Sequence, residues 1–359
     1  MTLLQPGATI GILGGGQLGR MLALEAARFG FDVHIYCPEV DSPAERVAAQ
    51  TWQAAYDDME LLNAFAEACD VVTYEFENVP VAAVQAIEAA GTAVRPGTKS
   101  LEIAQDRFLE KTFLAENGIP PVAFERIDDA DTLPEALRRF QNRAILKTRR
   151  DGYDGKGQIR LLDPDMAALA AARKMLAEAP CILEAFAPFE REISVVVART
   201  EFGSLTFDVS ENEHVGGVLM RAAVPAAIEP DIATRARDAG VRLADALGHI
   251  GVLALELFVM PDGGLLANEF APRVHNSGHW TPDACETGQF EQHVRSVVGW
   301  PLGPVTRLFD VSMENLMGAK VLSVPNDLSS ADRPVVYGKR EALSGRKMGH
   351  ITRRLGPAS

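Results

Sequence analysis

Cysteine is scarce in this chain of 359 residues: the four present, Cys37, Cys69, Cys181 and Cys285, lie far apart and form no Cys-x-x-Cys pair. That spacing argues against a disulfide framework or a zinc ribbon, treats each thiol as a small buried apolar side chain, and fits a reducing cytoplasm. No apolar run is long enough to span a bilayer, and the start, Met1-Thr2-Leu3-Leu4-Gln5-Pro6, lacks the basic and apolar regions of a secretion signal. A soluble cytoplasmic protein with no membrane partner is the expectation. Basic charge is also short, with 35 Lys and Arg against 49 Asp and Glu and a net charge of −14. A nucleic-acid partner needs clustered cations and is not expected. A few cations gathered in one pocket would still hold an anionic small molecule. Internal repeats and low-complexity tracts are missing too. At this length, two or three packed domains are the default.

What is present begins with an apolar run at residues 8–13 followed by Gly14-Gly15-Gly16-Gln17-Leu18-Gly19. Helical spacing then runs through Met21, Leu22, Leu24 and Ala27, and residues 32–36 read as a second strand. A helix over 59–68, a strand over 70–73 and a helix over 81–90 continue the alternation. This is the pattern of a doubly wound, Rossmann-like α/β domain, placed at residues 1–103. A helix over 107–117 stops at Gly118-Ile119-Pro120. Beyond it the texture becomes antiparallel, with strands at 144–148, 158–162, 181–185 and 193–199 and one helix over 165–177. Strands at 251–259 and 265–270 flank Pro261-Asp262-Gly263-Gly264, a hairpin turn. The run Trp300-Pro301-Leu302-Gly303-Pro304 divides a middle domain, 104–300, from a small third domain, 301–359.

Gly14-x-Gly16-x-x-Gly19 matches the dinucleotide fingerprint, with Glu39 near the acidic position after the second strand. It fits a phosphate seat at a helix N-terminus, and equally a tight turn that needs glycine for geometry alone. A second segment is more specific. Lys147 ends a strand, and Arg149-Arg150-Asp151-Gly152-Tyr153-Asp154-Gly155-Lys156-Gly157-Gln158 follows it. Three glycines and several cations suit a loop that folds over a polyphosphate. A Walker loop is excluded, because the Gly-Lys-Ser/Thr ending and following helix are missing. Glu256 and Glu269 interrupt the two apolar strands of the hairpin. Buried acids are costly unless paired or bound to a cation. With Asn268 they form an oxygen-rich set suited to Mg²⁺ bridging nucleotide phosphates.

With these features in place the chain resembles the ATP-grasp superfamily over nearly its whole length. It is most similar to the N5-carboxyaminoimidazole ribonucleotide synthase family. The closer match rests on Gly15-Gly16-Gln17-Leu18-Gly19-Arg20-Met21, Thr73-Tyr74-Glu75-Phe76-Glu77-Asn78-Val79, Gln105-Asp106-Arg107 and the loop 147–158. To these it adds Asn268-Glu269-Phe270-Ala271-Pro272-Arg273-Val274-His275-Asn276-Ser277-Gly278-His279-Trp280.

The resemblance implies an ATP-grasp fold with a flexible lid over about 120–187, behind a Rossmann-like domain. It implies a ligase that uses ATP, Mg²⁺ and bicarbonate, without biotin, to carboxylate an aminoimidazole ribonucleotide in purine biosynthesis. A homodimer is implied as well. Residue by residue, Arg107 and Lys147 would contact ATP phosphates, and Gly152, Tyr153, Asp154, Gly155, Lys156, Gly157 and Gln158 would close over them. Glu184, Ala185, Phe186 and Ala187 would form the adenine hinge. Glu192 would accept the ribose hydroxyls, and His214 and Asn268 would line the nucleotide site. Glu256 and Glu269 would hold the metal. Glu75, Tyr153 and Asp154 would face the ribonucleotide, and Lys339, Arg346 and Lys347 would grip its phosphate. Arg273 would position bicarbonate with His275 beside it, and Asp154 is the candidate for taking the amine proton. His275 and His279 read equally as hydrogen-bonded core histidines. The family usually has His where Val335 stands, and Arg-Pro at Leu343-Ser344. Rival readings are a formate-dependent glycinamide ribonucleotide ligase on the same scaffold, a biotin carboxylase, a dinucleotide-dependent oxidoreductase and a non-catalytic nucleotide-binding regulator.

Overall fold

The structure, a computed structural model, describes residues 3–152 and 156–359. Three sheets organise them. The first is parallel, in the order Gln50–Gln53, Asp32–Cys37, Thr9–Leu13, Val71–Tyr74. Parallel strands need crossover connections, which the helices Gln17–Arg28, Met59–Glu67 and Val81–Ala89 provide or flank. The sequence pattern anticipates this arrangement, apart from the short edge strand Gln50–Gln53 and the helix Thr98–Ala104.

The second sheet is antiparallel: Phe124–Ile127, Cys181–Ala185, Arg143–Thr148, Gln158–Leu162. The helices Leu133–Arg139 and Met166–Glu178 pack on it around Leu146, Leu161 and Leu183. This sheet has a core of its own and carries the 147–158 segment.

The third sheet has nine strands. Its path runs Leu265–Ala271, Gly251–Val259, Arg191–Thr200, Ser210–Val215, Val218–Val224, Phe309–Met317, Lys347–Pro357, Asp332–Val336, with Gly203–Thr206 paired to Arg191–Thr200. Strand periodicity explains why the central strands are apolar throughout. Ile193, Val195 and Val197 face the helix Pro230–Leu247, while Val196 and Ala198 face the opposite side, toward the helix Gln289–Val298 and the first sheet. The helix Pro230–Leu247 is absent from the sequence reading, because its buried positions are mostly alanine and glycine among charges. The segment after residue 300 does not build a separate sheet: Phe309–Met317 pairs directly with Val218–Val224.

Candidate active site

The site is centred on the hairpin of the large sheet. Glu256 and Glu269 are register partners on adjacent antiparallel strands, so both side chains leave the same face. Burial, and then the charge of Glu269, pushes the Glu256 carboxyl above the usual carboxylate range. Burial acts on Glu269 in the same sense, but Arg107 and then Lys147 outweigh it and hold that carboxyl low. Arg107 Nη1 donates to Glu269 Oε2 at 2.5 Å, and its Nη2 donates to Gly152 O at 3.0 Å. The residue before it, Asp106, caps the helix Arg107–Glu116 by accepting the Phe108 N–H at 2.9 Å. The same carboxylate takes Arg149 Nη2 at 2.5 Å, which ties the loop after Lys147 to the start of that helix.

On one side of Arg107, Glu256 and Glu269 lies a cavity of about 410 Å³ between the second and third sheets. Lys147, Lys156, Gly157 and Gln158 line its roof, and Glu184, Ala185, Phe186 and Ala187 its back wall. Glu192, His214 and Asn268 lie on the third-sheet side. The His214 ring and the Glu192 carboxylate are paired, and although burial works against the imidazolium, that pair raises the His214 pKa. The Glu184 side chain is occupied: Lys147 Nζ donates to Oε2 at 2.7 Å, and Lys111 Nζ lies 3.3 Å from Oε1. Tyr153, Asp154 and Gly155 fall outside the described residues.

On the other side is a cavity of about 480 Å³, lined by Glu75, Glu77, Gly152, Arg273, His275 and Lys347. Arg107, Glu256 and Glu269 form the wall common to both cavities. Arg273 Nε donates to the Glu77 carboxylate and Nη1 to Val274 O at 3.1 Å. Burial opposes the Glu77 charge, yet the guanidinium holds its carboxyl below the ordinary range. His275 Nδ1 accepts the Ser277 N–H at 3.3 Å, and Nε2 lies 3.4 Å from Glu256 Oε1. Burial, then Arg273 and Lys347, lowers its pKa to about 3. The ring is therefore neutral with its proton on Nε2, a donor toward the cavity and not a base. His279 also lines this cavity but is 1% exposed, and burial first, then His350, His275 and the nearby cations, holds its pKa well below the usual histidine range.

A further cavity of about 530 Å³ holds Lys339 and Arg346 and joins the previous one through Gln17, Glu75 and Phe76. Lys347 faces the Arg273 side, and Lys339 Nζ donates to Lys347 O at 2.8 Å. Glu75 lines both of these cavities and is also anchored to the glycine turn. Its carboxylate accepts the N–H of Gly16 and, at 2.8 Å, that of Gly19. The seat that a dinucleotide pyrophosphate takes in a Rossmann domain is filled by the chain's own carboxylate, which removes the oxidoreductase reading.

Sequence reasoning missed Glu110, Lys111 and Gln289. Arg107, Glu110, Lys111 and Leu114 share one face of a helix at i, i+3, i+4, i+7, and Glu110, Lys111 and Leu114 are buried. That spacing was readable, but a Glu-Lys pair on a helix usually faces solvent. Lys111 is fully buried and donates to Asn268 O at 2.8 Å.

The chain matches three family profiles: a ribonucleotide synthetase preATP-grasp domain over residues 7–105, an ATP-grasp domain over 112–290, and a phosphoribosylaminoimidazole carboxylase C-terminal domain over 312–355. It is 52% identical over 354 residues to the N5-carboxyaminoimidazole ribonucleotide synthase of Brucella melitensis, covering 98% of each chain. Among solved structures, an ADP complex of N5-carboxyaminoimidazole ribonucleotide synthetase superposes with a TM-score of 0.94 at 40% identity, over 99% of this chain and 94% of that one. An Aspergillus clavatus N5-carboxyaminoimidazole synthase in complex with ADP and 5-aminoimidazole ribonucleotide gives a TM-score of 0.91 at 26% identity, over 98% and 95%. The chain belongs to the N5-carboxyaminoimidazole ribonucleotide synthase family of ATP-dependent ATP-grasp ligases.

Proposed function

We propose that this chain couples ATP cleavage to carboxylation of the exocyclic amine of 5-aminoimidazole ribonucleotide, with bicarbonate as the carbon source and ADP and phosphate as by-products. The observation that carries this is the common wall: Arg107, Glu256 and Glu269 line both the 410 Å³ and the 480 Å³ cavities. A nucleotide in the first would present its terminal phosphate to whatever Arg273 and His275 hold in the second.

ATP would lie with its adenine edge on the 184–187 main chain, its ribose at Glu192 and its phosphates between Lys147, Arg107 and the 152–158 loop. Bicarbonate is a poor electrophile and needs activation. Arg273, a planar cation held by Glu77, would fix bicarbonate beside the terminal phosphate, and the Nε2–H of His275 would donate to it. A bicarbonate oxygen then forms a bond to the γ-phosphorus as the bond to ADP breaks, giving carboxyphosphate. The ribonucleotide amine attacks its carbon, or CO₂ released from it, and phosphate leaves. Glu75, with Lys339, Arg346 and Lys347, would hold the ribonucleotide, and Asp154 would take the amine proton.

The donor set fits Mg²⁺. Two carboxylates face each other in register, and the Glu256 carboxyl is raised by burial first and then by the charge of Glu269. Among the described residues there is no cluster of three or more His, Cys, Asp or Glu ligands. Two facing carboxylates suit an ion which keeps few protein ligands and takes the rest of its shell from phosphates and water. Bound there, Mg²⁺ would neutralise charge on the transferring phosphoryl group.

A cytoplasmic homodimer is part of this proposal. Support for the compartment is that all four cysteines are free and buried, as a reducing environment would leave them. The division at 1–103, 104–300 with a lid over about 120–187, and 301–359 is proposed too. The separate first and second sheets support it, while the large sheet runs across residue 300. The chemical test is oxygen transfer. Bicarbonate labelled with ¹⁸O should deliver label to the released phosphate, and unlabelled phosphate would rule out the carboxyphosphate route.

A further inference from the structure

The helix Gln289–Val298 begins under the loop that carries Arg273 and His275, and its first side chain is wholly buried. Gln289 Oε1 accepts the His275 N–H at 2.9 Å. Its Nε2 donates to His275 O at 2.8 Å and to His279 Nδ1 at 3.0 Å. The side-chain amide thus pairs with both main-chain groups of His275, as a neighbouring β-strand would. Because a backbone N–H and a backbone C=O are its partners, the orientation of the amide is fixed. The third bond assigns His279 as well: its Nδ1 is the acceptor, so its proton sits on Nε2.

The loop is shaped around this contact. The Gln289 N–H donates to Thr281 Oγ1 at 2.9 Å, and the Thr281 hydroxyl donates to Gly278 O at 2.7 Å. A Cβ on Gly278 would stand 2.7 Å from Gln289 Oε1, so only glycine allows the amide to approach. With its main chain clamped and its Nδ1 engaged by Ser277, the His275 ring can present only Nε2–H to Glu256 and the cavity.

We infer that Gln289 is a positioning residue for the bicarbonate side of the reaction. It touches no reacting atom, and acts by fixing the main chain of His275 and the tautomer of His279. The inference rests on the function proposed above.

The same helix supplies its own control. Gln292 makes the same kind of clamp, donating to Gly303 O at 2.6 Å and accepting the Gly303 N–H at 3.0 Å, and neither residue lines the cavities. Gln289→Met and Gln292→Met each remove one buried amide clamp of similar shape. Both variants should melt at lower temperature. Only Gln289→Met should raise the KM for bicarbonate, by roughly tenfold or more, while the KM for ATP stays within about twofold. Equal behaviour of the two variants, or an unchanged KM for bicarbonate in Gln289→Met, would overturn the inference. A second readout needs no turnover. With ¹⁵N-histidine labelling, the ring signals of His275 and His279 should move in Gln289→Met and stay put in Gln292→Met; signals unmoved in both would overturn the clamp itself. If Gln289→Met does not fold, Gln289→Glu keeps the shape and the acceptor for His275 N–H but loses both donors, and the same two readouts apply. A wild-type chain with no ribonucleotide-stimulated ADP release would instead overturn the underlying function, while the ring signals still decide the clamp.

Discussion

The Glu75 carboxylate accepts the N–H of Gly19 at 2.8 Å and also that of Gly16, so a side chain just after the strand Val71–Tyr74 caps the helix Gln17–Arg28. Burial raises the Glu75 pKa, and these two donors oppose that rise. The glycine motif is therefore needed, but for a carboxylate and not for a pyrophosphate. Charge-assisted bonds of this kind contribute about 1.5–3 kcal/mol each. Glu75→Ala is expected to lower the free energy of unfolding by roughly 2–4 kcal/mol, since it removes a helix cap and leaves buried donors unmet. Urea denaturation measures it, and a loss within error of zero would contradict the capping role.

Arg273 and Glu77 join the middle of the chain to the first sheet through one ion pair. A lysine cannot hold Glu77 and present a flat fork to bicarbonate together. Arg273→Lys is expected to reduce kcat/KM for bicarbonate by about 100-fold or more, with a much smaller effect on ATP binding. Steady-state kinetics with each substrate varied would show it, and parallel losses for all substrates would count against this role.

Lys111 is fully buried, donates to Asn268 O and lies 3.3 Å from Glu184. Burial lowers its pKa and Glu184 opposes that change. Removing one member of such a buried pair typically costs about 3–5 kcal/mol. Lys111→Met should destabilise by that order in a urea titration. It should also raise the KM for ATP, because Lys147 is then the sole remaining cation bonded to Glu184. An unshifted denaturation midpoint would refute this.

Buried histidines set the response to acid. His293 Nδ1 accepts the Val252 N–H at 3.1 Å, and Nε2 meets Thr73 Oγ1 at 2.8 Å. Burial lowers its pKa to about 3. His249 and His350 are lowered to about 3 by burial as well. Each folded pKa lies below the unfolded value, so the unfolded chain binds more protons between about pH 6.5 and 3. Stability should therefore fall as pH drops through that window, by up to about 1.4 kcal/mol per pH unit for each histidine. Glu110 and Glu256, raised by burial, act in the opposite sense as pH falls toward the normal carboxylate range. His293→Gln should flatten the pH dependence of the unfolding free energy between pH 7 and 5, relative to wild type, by about one proton's worth. An unchanged slope would show that His293 is not held neutral.

Much of this site is legible before any coordinates. Glu256 and Glu269 stand out as charges inside apolar strands, and Pro261-Asp262-Gly263-Gly264 says that those strands are neighbours. What sequence cannot show is which charges are spent on one another. Glu184 looks available for adenine, yet its carboxylate is taken by Lys147 and Lys111. Gln289 carries no charge and sits in a helix with no motif, so its clamp on His275 appears only when the loop is folded. The long helix Pro230–Leu247 escapes for a related reason. Its inner face is built of small residues such as Ala236, Gly240 and Ala244, which give little apolar contrast. Gly240 lets that helix lie close to the sheet, where a Cβ would stand 2.9 Å from Val197.

The most direct test of the central claim is ADP release from the purified chain with Mg-ATP and bicarbonate, with and without 5-aminoimidazole ribonucleotide. Strong stimulation by the ribonucleotide is expected, lost when bicarbonate is removed and lost in Glu269→Gln. Release that ignores the ribonucleotide, or stimulation by formate with glycinamide ribonucleotide instead, would contradict it.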